Sequence, residues 1–166
     1  MTTRRTRDIV DTLGLLFEAS RYLELRVTAD IEHETGLPAK WFETLIRLRR
    51  SPEGTARMAE IAARVFLPPS SFSRLVDQME SAGLVSRAPD PSHRRATLVR
   101  VESAGERALD DALGACVTSG RRHMVDLLTD DELDQLERIT HRLRDANQPG
   151  RWPERETRHR PPANSS

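Results

Sequence analysis

The adjacent prolines Pro68 and Pro69 constrain this chain more than any other feature. A proline lacks the N–H of a helical bond and its ring clashes with the preceding turn, so it is accepted in a first helical turn and excluded from a helix interior. Before the pair, Met58 to Val65 predicts a short helix with Ile61, Ala62 and Val65 facing inward. After it, Phe72, Leu75, Val76 and Met79 recur at i, i+3, i+4 and i+7, which predicts a second helix around Ser70 to Gly83. Gly83 supplies the C-terminal stop. The prolines therefore close one helix and open the next across a tight turn. The outer face of the second helix is polar, with Ser71, Ser73, Arg74, Asp77 and Gln78.

Leu84 to Arg87 and Thr97 to Val101 are short strand-like runs around the segment Ala88 to Ala96, a hairpin with a long basic tip. Residues 54 to 101 thus predict a winged helix-turn-helix. An α-helix fits the major groove of duplex DNA, and a ribbon beside it reaches neighbouring phosphates or the minor groove. Serine hydroxyls, Arg74 and Gln78 suit contacts to bases and phosphates, and the amide-rich helix start at Pro69, Ser70 and Ser71 favours an anion. Bulk charge offers no support, because 26 basic residues balance 26 acidic ones. The basic footprint is local: Leu84 to Arg100 holds Arg87, Arg94, Arg95 and Arg100 against Asp90 alone.

Upstream, Ile9, Leu13, Leu16, Leu23, Val27 and Ile31 predict a long amphipathic helix from Asp8 to near Gly36. A second helix begins after Pro38, carries Leu37, Trp41, Leu45 and Leu48 on one face, and ends at the turn cluster Ser51-Pro52-Glu53-Gly54. Downstream, a capping box at Ser103-Ala104-Gly105-Glu106 opens a helix of up to about 25 residues with Leu109, Leu113, Cys116, Met124 and Leu127. A second box, Thr129-Asp130-Asp131-Glu132, opens a last helix with Leu133, Leu136, Ile139, Thr140 and Leu143 facing inward. The expected fold is mainly α with a small β wing. The winged helix-turn-helix occupies 37–102, and long N- and C-terminal dimerisation helices occupy 8–36 and 103–146. The stretch 147–166, rich in Pro and Arg with Trp152 as its one large apolar residue, predicts a disordered tail. The long helices lie far in sequence from the DNA motif, so their apolar stripes call for a partner surface, and a two-fold dimer would set two recognition helices about 34 Å apart.

The segment LPPSSFSRLVDQMESAGLVSRAPDPSHRRATLVRVESAGERAL resembles the MarR family, the multiple antibiotic resistance regulators, and the helix order matches that family from about Asp8 to Ala146. The resemblance implies a homodimeric regulator, a repressor before an activator, that binds a pseudo-palindromic operator in double-stranded DNA and responds to a small molecule. By motif match, Ser70, Ser71, Ser73, Arg74 and Gln78 become the recognition-helix contacts. His93, Arg94 and Arg95 form the wing tip, with Arg95 as the arginine that enters the minor groove. His93 stands where the family usually has an aspartate two residues before that arginine, and Asp90 is the candidate substitute. Arg57 holds the cap position before Met58, where Ser or Thr is commoner, and is a candidate phosphate contact. Family members hold aromatic acids or other planar ligands between the dimer helices and the DNA-binding lobe. Arg21, Tyr22, Trp41 and Phe42 are the corresponding candidates for an aromatic or phenolic effector pocket, while Trp41 also reads as core.

Other classes find little footing. No nucleophile beside a base, paired carboxylates or Gly-rich phosphate loop is legible, so neither an enzyme nor a cofactor is expected. His33, Glu34 and His123 form no compact metal motif. The acidic run Asp126 to Glu137 reads as solvated helix surface. The single Cys116 rules out an internal disulfide framework and, on the Leu109/Leu113 stripe, reads as a buried, inert thiol. No apolar run approaches the roughly 18 residues of a membrane span, and the start MTTRRTRDIV lacks the apolar stretch of a signal peptide, so a cytoplasmic protein is expected. The other reading is a winged-helix protein-interaction module without specific DNA binding. The polar, basic recognition face argues against it.

Overall fold

The structure, a computed structural model, describes residues 2–147. The long first helix, α1 (Thr2–Thr35), begins before the expected Asp8 and is followed by α2 (Ala39–Arg49). A single 3-10 turn at Pro52–Gly54 leads into β1 (Thr55–Arg57), α3 (Met58–Arg64) and α4 (Pro69–Ser81). The strands β2 (Val85–Pro89) and β3 (Thr97–Val101) precede α5 (Ser103–His123) and α6 (Asp130–Asn147). Asn147 closes α6, and the rest of the expected tail lies outside the described residues.

The residues up to Leu127 form one compact unit. Its core is built from the stripes that the periodicity marks: Ile61 and Val65 of α3, Phe72, Val76 and Met79 of α4, and Leu45 and Leu48 of α2 are almost fully buried. Val85 and Val99 close this core from the sheet, and Leu109 and Ala112 close it from α5. Ile31, near the end of α1, is buried in the same cluster.

The sheet has three strands, ordered β1-β3-β2 and antiparallel throughout, with Ala56 opposite Val99 and Arg87 opposite Val99 on the other side. The sequence reading expected only the two-stranded wing. At three residues, β1 is too short to display an alternating pattern, and its existence depends on β3 being next to it. β2 also runs on through Ala88 and Pro89, two residues assigned by sequence to the tip.

Both turns that frame α4 follow one pattern. After α4, the Leu84 N–H reaches the Met79 carbonyl at 3.0 Å and the Gly83 N–H reaches Glu80 at 2.9 Å, the paired bonds of a Schellman stop. Gly83 has φ +73°, which a glycine adopts without steric cost. After α3, the same two bonds join Leu67 to Ala62 at 3.0 Å and Phe66 to Ala63 at 3.4 Å. The left-handed position there is filled by Phe66, at φ +55° and 81% exposed. An aromatic residue in this conformation stores backbone strain.

The start of α5 departs from expectation. The Ser103 capping box does not form: Glu102 is the N-cap residue, and the Glu106 N–H that Ser103 would have to bind is taken by the Glu102 carbonyl at 2.9 Å. The Glu102 N–H in turn donates to the Leu84 carbonyl at 2.9 Å, and its carboxylate accepts the Ser86 hydroxyl. This pins α5 to the exit of α4. Gly105 is required by the resulting approach, because a Cβ there would stand 2.2 Å from the Leu84 carbonyl oxygen. α5 ends at His123, so Met124 lies at its cap and Leu127 beyond it, 72% exposed.

The residues from Leu128 form a second unit. Its capping box does form: the Glu132 carboxylate accepts both the Thr129 N–H and the Thr129 hydroxyl at 2.9 Å, and the Glu132 N–H returns to Thr129 Oγ1 at 3.4 Å. These bonds hold the Glu132 carboxyl below its ordinary range. No residue of α6 is buried within the chain. Among the described residues, no helix is long and apolar enough to cross a membrane.

Candidate nucleic-acid interface

The rotation of α4 is set by Phe72, Val76 and Met79, which leave no freedom about the helix axis once buried. The opposite face is consequently exposed, and it carries Ser70, Ser71, Arg74, Asp77 and Gln78. Ser73 is half-buried, and its carbonyl accepts Arg87 Nη2 at 2.9 Å. Arg74 and Gln78 lie four residues apart and so share one face of the helix.

Arg87 changes the charge reading of the wing. It reaches Asp77 at 2.5 Å and Glu80 at 3.1 Å, so its guanidinium ties β2 to α4 and is neutralised there. The outward cations of the segment are Arg94, Arg95 and Arg100, all exposed. The local excess is real, but one of its four arginines works as a strut.

The tip Asp90 to Ala96 is closed by three backbone bonds: Asp90 N–H to Ala96 at 3.0 Å, His93 N–H to Asp90 at 3.2 Å and Ala96 N–H to His93 at 2.8 Å. Asp90 is the buried member, at 6% exposure. Its carboxylate accepts the Ser92 hydroxyl at 2.6 Å, the Ser92 N–H at 2.8 Å and Arg57 Nε at 2.7 Å. Hydrogen bonds from the Ser92 hydroxyl, Arg57 and the Ser92 amide, in that order, hold the Asp90 carboxyl far below the usual carboxylate range. Arg57 is raised in turn, first by its bond to Asp90. Arg57 Nη2 also lies 3.3 Å from Ser92 Oγ and 2.9 Å from His93 Nδ1. An arginine only donates, so His93 Nδ1 accepts, which assigns the imidazole proton to Nε2. Arg57, expected as a candidate phosphate contact, has its guanidinium turned to the wing, where it meets Asp90, Ser92 and His93. Arg57 caps α3 with no side-chain hydrogen bond, as a residue other than Ser or Thr at that position should.

The proposed effector residues separate. A cleft of about 370 Å³ lies between α1 and α2, lined by Glu24, Thr28, Lys40, Phe42, Ile46 and Arg47 among others. Of the four candidates, Phe42 lines it. Trp41 is half-buried against the core, while Arg21 pairs with Glu24 at 3.2 Å and Tyr22 donates its hydroxyl to Glu18 at 3.1 Å on the exposed face of α1. Sequence reading missed Lys40, the only lysine in the chain. Its Nζ stands 2.7 Å from Glu43 and 3.1 Å from the Val65 carbonyl, so a cleft residue also holds the end of α3. Arg47 Nε is buried in the same wall without a hydrogen-bond partner. Only the odd single lysine signalled this pair.

Elsewhere, the Asp30 carboxylate on α1 accepts the Ser119 hydroxyl at 2.6 Å and lies 3.1 Å from His123 Nε2, both on or at the end of α5. The Ser119 bond is the main cause of a lowered Asp30 carboxyl. Burial pushes the Cys116 thiol up, which favours an unreactive thiol.

The MarR family profile matches residues 35–96, the segment from the end of α1 through the wing tip. Among curated proteins, the chain is 25% identical over 139 residues to the HTH-type transcriptional repressor MdtR of Bacillus subtilis, covering 84% of this chain and 85% of that one. Among solved structures, Sco3205 of Streptomyces coelicolor, a MarR family regulator crystallised in complex with DNA, superposes with a TM-score of 0.72 at 24% identity, over 90% of this chain and 91% of its own. AbsC, a MarR family regulator from the same organism, is 27% identical with a TM-score of 0.68, over 87% and 97%. The matched segment holds the same Pro68-Pro69 turn, α4 and wing that the geometry singles out, and over it the chain is similar to the MarR family of winged helix-turn-helix transcriptional regulators.

Proposed function

We propose that this chain binds duplex DNA sequence-specifically, as a homodimer on a pseudo-palindromic operator in the cytoplasm, and acts as a repressor that a small effector releases. The observation that carries the DNA reading is the exposed polar face of α4, Ser70, Ser71, Arg74 and Gln78 with the half-buried Ser73 between them, beside the exposed His93, Arg94 and Arg95 of the wing. In this reading α4 reads base edges, its N-terminal amides and serines meet phosphate, and the wing arginines grip the flank. The repressor named among the relatives and the neighbour crystallised with DNA support it. Exposed Ile9, Leu13 and Leu16 on α1, and Ile139 and Leu143 on α6, support a partner chain. The cleft beside Phe42, with Lys40 and Arg47 in its wall, supports an effector of the aromatic acid or phenol class.

The test is affinity for a random duplex as a function of salt, followed by selection of bound sites from random sequence. Neutralised phosphates make binding fall steeply with salt, so a flat response would remove the DNA reading in favour of a protein-interaction module. Arg74→Ala or Gln78→Ala should then cost about 1–3 kcal/mol at particular base pairs of the selected site, whereas Arg95→Ala should weaken all sequences and lower the salt slope by about one.

A further inference from the structure

We propose that Arg57 is the positioning residue of the wing: it holds the tip that carries Arg94 and Arg95 in a set pose against α4, without itself gripping DNA. The proposal rests on the DNA-binding reading above. Arg57 ends β1 opposite Leu98 of β3 and caps α3, so its backbone is held by sheet and helix at once. From there its side chain crosses to the tip. Nε meets Asp90 at 2.7 Å and Nη2 meets His93 at 2.9 Å and Ser92 at 3.3 Å, while Nη1 lies 3.8 Å from Glu60 of α3. The donor edge that would fork a phosphate is turned inward, and its charge is countered by a buried carboxylate. The chain thereby meets the need created at His93. The orienting acid is Asp90, three residues earlier, and it acts through Arg57 instead of through the wing arginine. Without Arg57, Asp90 becomes a buried acceptor lacking its cation, and the tip loses its ion pair to the start of α3.

Fluorescence anisotropy with a random duplex across a salt series, on the full chain and on Arg57→Ala, Asp90→Asn and the double variant, decides between positioning and direct contact. Positioning predicts a loss of about tenfold for Arg57→Ala at fixed salt, through the displaced wing arginines, and a double variant no weaker than the worse single one. A slope lowered by about one with additive losses would make Arg57 a phosphate contact and overturn the proposal. A DNA-free readout stands beside this: trypsin should cut after Arg94 or Arg95 faster in both single variants, with helical circular dichroism retained. Unchanged cleavage in both would equally overturn it. If the wild-type chain shows no salt-dependent binding, the DNA reading fails, and the proteolysis still decides whether Arg57 holds the wing.

Discussion

The lobe from α2 to β3 and the long helices at the two ends of the chain are built from similar amphipathic patterns, yet one is complete within a single chain and the other is not. In the lobe, the inward residues of α2, α3, α4 and the sheet are buried to the last few per cent, and the polar residues left outside are the candidate DNA contacts. On α1, Ile9, Leu13, Leu16 and Phe17 are exposed, and on α6 Leu133 and Leu136 are only half-buried while Ile139 and Leu143 are exposed. Hydrophobic periodicity specifies that a face must be covered. It does not specify by what. A short helix in a crowded lobe finds its cover among neighbours close in sequence, whereas Ile9, Leu13 and Leu16 of the long α1 stay exposed in this chain.

The strongest way to break the comparison is to damage the lobe's own core. Phe72 of α4 is 1% exposed in the core, so Phe72→Ala should destabilise the protein by about 3–5 kcal/mol, read from denaturant unfolding. A change below about 1 kcal/mol would mean that the lobe also borrows its stability from a partner chain. Next, Leu13→Asp with Leu16→Asp places charge on the exposed stripe of α1, and should weaken self-association by about 100-fold or more, read by sedimentation across concentrations. A wild-type chain that sediments as a monomer at high concentration would show that the stripe needs no second copy. The smallest effect has the opposite sign. Phe66 and Phe72 are six residues apart, but Phe66 is exposed in a left-handed turn, so Phe66→Gly should raise stability by about 1 kcal/mol. A loss instead would show that the aromatic ring has a packing partner outside this chain.

Much of this was legible in the residues because the signals are local. Pro68 and Pro69, the 3–4 spacing of α4, Gly83 and the Thr129 capping box each act within a few residues of themselves, and each stands where the pattern put it. The misreadings share a different property. Ser103 and Glu106 have the right spacing for a box, but the contact of Glu102 with Leu84 and Ser86 begins α5 one residue earlier. Arg87 counted as wing charge until Asp77 and Glu80 proved to be ten and seven residues behind it. β1 exists because β3 lies beside it, and three residues cannot announce a strand alone.

The sequence by itself determined the helix-turn-helix, the wing and the polar face of α4, since proline sterics, helical period and hairpin patterning are properties of neighbouring residues. The tertiary structure alone decided how the wing is held. Arg57 and Asp90 are 33 positions apart, and their 2.7 Å bond follows from β1 pairing with β3 and from the tip folding over a buried carboxylate. No periodicity records such a pair, because a charge pair owes its existence to the fold that brings it together and to the burial that makes it matter.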